Sequence, residues 1–289
     1  MHPNPHHLRE NDMSTKTWFI TGTSRGFGRE WAIAALERGD SVAATARAAA
    51  SLDDLVAVHG DKILPLSLDV TDHDAVFAAV AVAHEHFGRL DVVVNNAGYG
   101  QFGMVEELSE AESRAQIETN LFGALWVTQA ALPFLRAQGS GHIIQVSSIG
   151  GISAFPTVGI YHASKWALEG FSQSLAQEVA GFGIKVTLIE PGGYSTDWGG
   201  SSAKHATAIA AYDGVREQAA NRPSRRGTPG DPVATRGPIL TLVDSDNPPL
   251  RVFFGEAPLA IATADYESRL ATWNEWQHVS VEAHGGSAS

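Results

Sequence analysis

The stretch TWFITGTSRGFGREWAIAALERG, residues 17–39, decides the fold. Its first five residues, TWFIT (17–21), form a short apolar run rich in β-formers. A turn with three glycines follows, TGTSRGFG (21–28), holding Gly22, Gly26 and Gly28. From Gly28 the apolar residues take helical spacing, and Gly39 stands where a C-cap belongs. Strand, tight turn and helix in that order is the setting in which glycine turns hold nucleotide phosphates. Gly22 permits the sharp turn, and Gly26 and Gly28 are expected to clear Cβ atoms from the path of a pyrophosphate. The helix N-terminus adds N–H groups and partial positive charge. Each residue from Gly22 through Thr23, Ser24, Arg25, Gly26 and Phe27 to Gly28 is therefore a candidate cofactor contact. Glycine turns also occur in plain loops, so the flanking sequence has to support the reading.

Working outward, the same rhythm repeats. SVAATAR (41–47), ILPLSLDV (63–70), LDVVVNNAG (90–98), GHIIQVSS (141–148), IKVTLIEPG (184–192) and RVFF (251–254) read as strands, and 72–88, 110–138 and about 159–181 read as helices. Apolar runs without alternation fit strands covered on both faces. The pattern predicts an α/β fold: a Rossmann-like, doubly wound parallel sheet of about seven strands with helices on both faces. Residues 16–278 are expected to form one domain. Residues 1–15 read as a disordered leader and 279–289 as a flexible tail. Residues 193–235, rich in Gly, Ser, Ala and Pro, read as a substrate-binding loop or lid.

Composition narrows the function. The formal net charge of −12 disfavours nucleic acid and anionic lipid as partners. No apolar run approaches the roughly 20 residues of a membrane span. With no cysteine there is no disulfide framework, and no His/Asp/Glu grouping has metal-ligand spacing. A cytoplasmic protein without a metal is the expectation.

Charge also bears on the cofactor. Nicotinamide sites that take NAD commonly place an acid at the end of the second strand. Here that strand ends at Arg47, and Arg25 lies inside the glycine turn. Two guanidiniums there suit a ribose 2′-phosphate, so NADP(H) is expected over NAD(H); the alternative is two ordinary surface arginines. Asp69, with Val70 beside it, ends the third strand and can meet the adenine amino group or cap the next helix, in competition with Thr71 and Asp72. In NNAG (95–98), Asn95 and Asn96 suit turn backbone, and Ala97 and Gly98 let a cofactor pass close.

Tyr161 and Lys165 in YHASK (161–165) share a helix face. A tyrosine pKa of about 10 makes a poor base at neutral pH, and a neighbouring ammonium favours the phenolate. Ser147 and Ser148 end the fifth strand, where a hydroxyl can hold a substrate oxygen. Strand alternation allows one of the two to do so, and spacing does not choose. Tyr and Lys at i, i+4 also occur in ordinary surface helices, so the order of the neighbouring motifs matters.

That order resembles the classical short-chain dehydrogenases/reductases over about residues 17–197, through TGTSRGFG, NNAG, ETNLFGA, VSS, YHASK and EPGGYST. The resemblance implies a catalytic Tyr161/Lys165 pair, selects Ser148 over Ser147, and assigns Asn120 to a helix distortion and a water linking Lys165 to solvent. It also implies that Pro191, Gly192 and Thr196 border the nicotinamide, and that homo-oligomers, dimers or tetramers, form through the long helices. The expected activity is NADP(H)-dependent hydride transfer between nicotinamide and a carbonyl or secondary alcohol. Tyr99, Phe155 and Trp198, near the crevice, point to an apolar ketone or alcohol. A non-catalytic NADP(H)-binding redox sensor is the competing reading; it needs the turn and NNAG but not Tyr161 and Lys165. His162 lies about 100° from Tyr161 around the helix and reads as structural or partner-facing.

Overall fold

In the computed structural model, which describes residues 15–221 and 228–285, strands follow one another as β1 (Thr17–Thr21), β2 (Ser41–Ala46), β3 (Ile63–Ser67), β4 (Val92–Asn95), β5 (Gln101–Phe102), β6 (Gly141–Val146), β7 (Ile184–Pro191), β8 (Lys204–His205) and β9 (Arg251–Phe254). The helices are α1 (Gly26–Arg38), α2 (Asp53–His59), α3 (His73–Phe87), α4 (Glu110–Ile117), α5 (Gly123–Gln138), α6 (Gly159–Val179), α7 (Asp213–Ala220), α8 (Arg236–Asp244), α9 (Ala257–Glu275) and α10 (Gln277–Ala283). Seven strands form one parallel sheet in the order β3-β2-β1-β4-β6-β7-β9. This is the doubly wound Rossmann-like architecture expected from the sequence.

The unbroken apolar runs fill two cores. On β1, Trp18 and Ile20 face a cluster with Trp31, Ala35 and Leu36 of α1 and Ile239 and Leu242 of α8. Phe19, between them, faces the opposite cluster of Val76 and Val80 of α3, Val127 and Leu135 of α5, and Leu175 of α6. Successive side chains point to opposite faces, so a strand covered on both sides has no polar position to spare. The buried indoles satisfy their N–H groups: Trp18 donates to Asp40 Oδ2 at 2.7 Å and Trp31 to Thr235 Oγ1 at 2.8 Å.

Helix ends follow local chemistry. Gly39, at φ 98°, closes α1 in the left-handed conformation. Asp72 caps α3 by accepting from the Ala75 N–H, and Ser109 and Glu112 form a capping box on α4. The helix expected as continuous over 110–138 is interrupted by a π-helical turn at Glu118–Phe122.

Three expectations need correction or placement. Residues 279–283, expected in a flexible tail, belong to α10. α10 follows α9 after one residue. The segment 193–235 holds more order than its composition suggests, because β8 pairs with β5 and α7 follows. Of the expected leader over 1–15, residues 1–14 lie outside the described residues, as do 222–227 of the segment 193–235 and 286–289 of the expected tail.

His142 on β6 is 4% exposed; its Nε2 meets Thr187 Oγ1 at 2.9 Å and its Nδ1 has no partner. Burial, helped by Lys185, lowers its pKa from 6.5 to about 3. The unfolded chain therefore takes up a proton that the folded protein excludes. Stability is complete above pH 6.5 and is expected to fall toward pH 3 by about 1.4 kcal/mol per pH unit from this residue. Denaturant titrations at pH 7, 5 and 4 should show a shallower acid slope for His142→Val than for the wild type; equal slopes would rule His142 out as the source.

Candidate active site

The glycine turn follows β1, NNAG ends β4, Ser148 lies just past β6, and Pro191 and Gly192 end β7. All four therefore lie at the carboxyl end of the sheet. From β1 the order runs outward through β2 and β3, and from β4 outward through β6, β7 and β9. The crevice of a doubly wound sheet opens at such a reversal.

Arg25 precedes α1 in extended conformation with no side-chain cap, and the first turn of α1 carries no acid. The first N–H groups of α1 are thus left for an anion. Gly22 and Gly26 have φ of 72° and 59°, where a side chain is strained. A Cβ on Gly26 would meet nothing nearer than Thr196 at 3.8 Å, so the space over the turn is open. Gly28 differs from its expected role. Its Cβ would collide with Asn96 Nδ2 and lie 2.6 Å from Gly22 O, so the lack of a side chain here is required by contact within the protein.

Asn96 fastens the two halves together. Its Nδ2 donates to Thr21 O at 2.8 Å and Gly22 O at 3.0 Å, while Thr21 Oγ1 accepts from Asn96 N and Ala97 N. Thr23 Oγ1 donates to Thr45 O at 3.0 Å, and Phe27 stacks on Trp31 with centroids 5.4 Å apart, so both side chains serve packing. Ser24 is half-buried on the turn. Arg47 is exposed just past β2. Arg25 is engaged across the crevice, pairing with Asp197 and donating to Ser201 Oγ at 3.0 Å. Asp69 accepts from Thr71 N and Oγ1, which leaves the cap of α3 to Asp72. Val70 is buried against Gly123 at the start of α5.

Tyr161 and Lys165 are both buried on α6. Lys165 Nζ donates to Val146 O at 2.7 Å and lies 5.8 Å from the Tyr161 ring centre. Burial raises the Tyr161 phenol to about 12, against a hydrogen bond with Ser148 that lowers it. The expectation of a phenol drawn toward neutrality by Lys165 therefore does not hold in the protein alone, because desolvation is the larger effect. Burial also lowers Lys165 to about 8, with Glu169 acting in the opposite sense. Ser148 Oγ accepts from Gly150 N at 2.9 Å, while Ser147 Oγ is buried on the side of Gly151 and Glu169.

Asn120 sits inside the π-helical turn, donating to Tyr99 O at 3.0 Å and Ser164 Oγ at 3.2 Å and accepting from Tyr99 N at 3.1 Å. Asn120 thus ties the NNAG loop to the distortion and to α6. Gly98 lets it approach: a Cβ there would lie 3.1 Å from Asn120 Oδ1. Gly192 N donates to Phe254 O at 2.9 Å, continuing from Pro191 the pairing of β7 with β9.

His162 carries a positioning role that helical spacing does not reveal. Its Nδ1–H meets Gly150 O and its Nε2 accepts from Phe155 N, each at 2.8 Å, bracing the loop between Ser148 and α6. Its partners are backbone groups, which leave no side-chain signature. At the end of that loop Thr157 adopts φ 76°, a strained conformation for a β-branched residue.

Of the aromatic candidates, Trp198 lies over Tyr161 with ring centres 5.0 Å apart and against Phe102 at 5.2 Å. Phe155 packs with Ile149, Ile152 and Ala262, toward α9. Tyr99 has the Lys204 ammonium 4.6 Å from its ring centre and a buried hydroxyl without a partner. Of the three aromatic candidates, Trp198 is the one brought onto Tyr161. The segment 193–235 is clasped by Glu107, whose carboxylate accepts from Ile209 N, Met104 N and Arg216 Nη1, each at 2.7 Å, and is held down to about 2, chiefly by the Ile209 and Met104 N–H groups. Among the described residues no group of three His, Cys, Asp or Glu is placed to hold a metal, and no helix is long and apolar enough to cross a membrane.

A short chain dehydrogenase family model matches residues 16–207. Oxidoreductase BOA17 of Botryotinia fuckeliana is 45% identical over 272 residues, covering 92% of this chain and 98% of that protein. The crystal structure of a short-chain dehydrogenase from Streptomyces avermitilis superposes with a TM-score of 0.85 at 40% identity, covering 92% of this chain and 97% of the other. The alcohol dehydrogenase of the archaeon Thermococcus sibiricus, solved in complex with 5-hydroxy-NADP, gives 0.70 at 28% identity, covering 83% and 96%.

Proposed function

The chain belongs to the short-chain dehydrogenase/reductase family of oxidoreductases, and from that premise we propose that it is an NADP(H)-dependent carbonyl reductase, also running as an alcohol dehydrogenase, with apolar ketones or secondary alcohols as substrates. The observation that carries this reading is the meeting of Ser148, Tyr161 and Lys165 beside the open glycine turn.

A nicotinamide dinucleotide fits the residues present. The uncapped N-terminus of α1 and the space above Gly26 suit its pyrophosphate. Arg47 and Arg25 suit a 2′-phosphate, Arg25 by exchanging its Asp197 partner. When bound, the nicotinamide gives or takes the hydride at the carbonyl carbon. Tyr161, raised to about 12, keeps its proton at neutral pH and is in the state needed to protonate the nascent alkoxide. Ser148 orients the same oxygen and stabilises its developing charge. Lys165 holds the cofactor ribose and favours the phenolate left after proton transfer. Asn120 holds the NNAG loop against α6, and its helix distortion supports a water path from Lys165. Tyr161, Trp198 and Phe102 make the substrate side aromatic, which supports an apolar substrate.

The sensor reading is not favoured, since Tyr161 and Lys165 are both present and share one buried face. A cytoplasmic location and a homo-oligomer belong to the proposal. Exposed Leu270, Trp273 and Trp276 on α9 and just after it support the latter.

The test is a comparison of NADPH and NADH consumption across ketones, aldehydes and quinones. Arg47→Glu should weaken NADPH use by roughly ten- to a hundredfold, the worth of a charge-assisted contact of about 1.5–3 kcal/mol, and leave NADH use unchanged. Equal use of the two cofactors by the wild type would overturn the preference. Binding of NADPH without turnover of any carbonyl would overturn the reductase.

A further inference from the structure

Along the same face of α6, beyond Tyr161 and Lys165, lies a second ionisable cluster that the reaction above leaves unused. Glu169 stands one helical turn beyond Lys165 on α6, and Glu190 is the penultimate residue of β7. Their side chains are 7% and 1% exposed. One guanidinium serves both: Arg251 Nε lies 2.8 Å from Glu169 Oε2 and 3.5 Å from Glu190 Oε1. The other end of Arg251 is taken by Gln173 Oε1 at 2.9 Å. Glu169 Oε1, Glu190 Oε1 and Ser147 Oγ are buried without hydrogen-bond partners. A cavity of about 210 Å³, bordered by Glu190, Arg251 and Tyr266, opens beside the pair.

Two buried carboxylates facing one cation cannot both be charged at low cost, because the second charge is taken from water without a partner. The pair therefore retains one proton. Burial, and then the Glu169 charge, hold Glu190 well above the ordinary carboxylate range. Among the described residues, the charges on the neighbouring elements are engaged elsewhere or held away. On α6, His162 is fixed between Gly150 and Phe155; on α9, Asp265 is paired with Arg269 at 2.7 Å. Of the described cations, Arg251 bears on both carboxylates and Lys165 on Glu169.

We propose that Glu169 and Glu190 are a positioning pair for the reductase reaction: they share one proton, release it as pH rises, and the added negative charge keeps the nearby Lys165 ammonium protonated. The proposal rests on the reading of Lys165 as the partner of Tyr161. Lys165 Nζ can donate to Val146 O as an ammonium or, more weakly, as a neutral amine, so that contact favours the charge without fixing it. Glu169 is the group that raises the Lys165 pKa against burial. As the shared proton leaves by the cavity beside Glu190, the pair passes from one negative charge to two. This occurs where Lys165 would otherwise lose its own proton. Glu190 and Lys165 are thereby coupled through the Glu169 charge between them, and the lysine charge persists to higher pH than burial permits.

The experiment reads Lys165 directly. The chain has five lysines, and ¹³C NMR of labelled lysine Cε resonances, with Lys165 assigned by its loss in Lys165→Met, follows its titration without requiring turnover. In the wild type the Lys165 curve should be broader than that of an isolated group. Glu190→Gln should lower its midpoint by roughly one pH unit, and Glu169→Gln by more. The alkaline limb of kcat/KM should move the same way, and Glu190→Asp should restore it. A simple single-group curve in the wild type, or an unchanged midpoint in the folded variants, would overturn the proposal. Failure of every carbonyl to react would overturn the reductase reading instead, and the NMR titration would still decide the role of the pair.

Discussion

Tyr161→Phe is expected to lower kcat by roughly 10²–10⁴-fold, the usual worth of a positioned general acid, while leaving cofactor affinity nearly unchanged. The substitution removes one oxygen and keeps the ring, so the contact with Trp198 at 5.0 Å survives. The phenol is buried beside Ser148, so the variant keeps the serine but loses the proposed acid for an oxygen held there. Ser148 keeps its bond to Gly150 N and stays in position. Fluorescence titration with NADPH, followed by single-turnover measurement, separates binding from chemistry. A phenylalanine variant with full turnover would remove Tyr161 from the mechanism.

Gly28→Ala is expected to cost about 1–3 kcal/mol of stability, as overpacked sites do, and to weaken cofactor binding with it. The new methyl would occupy the place of Asn96 Nδ2 and press on Gly22 O, neither of which can yield. Asn96 is anchored to Thr21 O and Gly22 O, and Gly22 is itself fixed at φ 72°. Relief requires α1 to move off the turn, and the phosphate-facing N–H groups move with it. Gly26→Ala is the control: its methyl has room, and the loss is confined to the backbone preference, about 1–2 kcal/mol. Thermal melts with and without NADPH distinguish the two. A Gly28→Ala protein that binds NADPH normally would show that the turn tolerates displacement of α1.

Gly28 also shows how far the sequence can be read. Its position in the turn marks a place where a side chain is forbidden, but not what forbids it, because the obstructing atom belongs to Asn96, far along the chain. The parallel sheet is legible because strands covered on both faces need unbroken apolar runs, which TWFIT and VVVN supply. Tyr161 and Lys165 can be placed together because helical geometry alone puts them on one face. Asn120 cannot be placed so: the π-helical turn holding it leaves no periodic trace in ETNLF, and its role came from resemblance. His162 reads as structural or partner-facing, but its particular bonds, like those of Thr21, are to backbone and leave no side-chain signature. The chain beyond residue 235 reads poorly because α9 mixes exposed apolar and polar residues, so its stripe is indistinct.

The sheet has a kinetic consequence. Each of its neighbouring strand pairs is parallel, so each needs a crossover rather than a hairpin. β1 meets one neighbour at residue 41 but waits for Val92–Val94 on its other edge, and the last edge is covered when Arg251–Phe254 arrives. Loop closure must precede the reward of pairing, which makes such chains slow folders with strand edges exposed on the way. The glycine turn and NNAG are joined only once β1 and β4 dock, so recovery of NADPH binding during refolding would time that step.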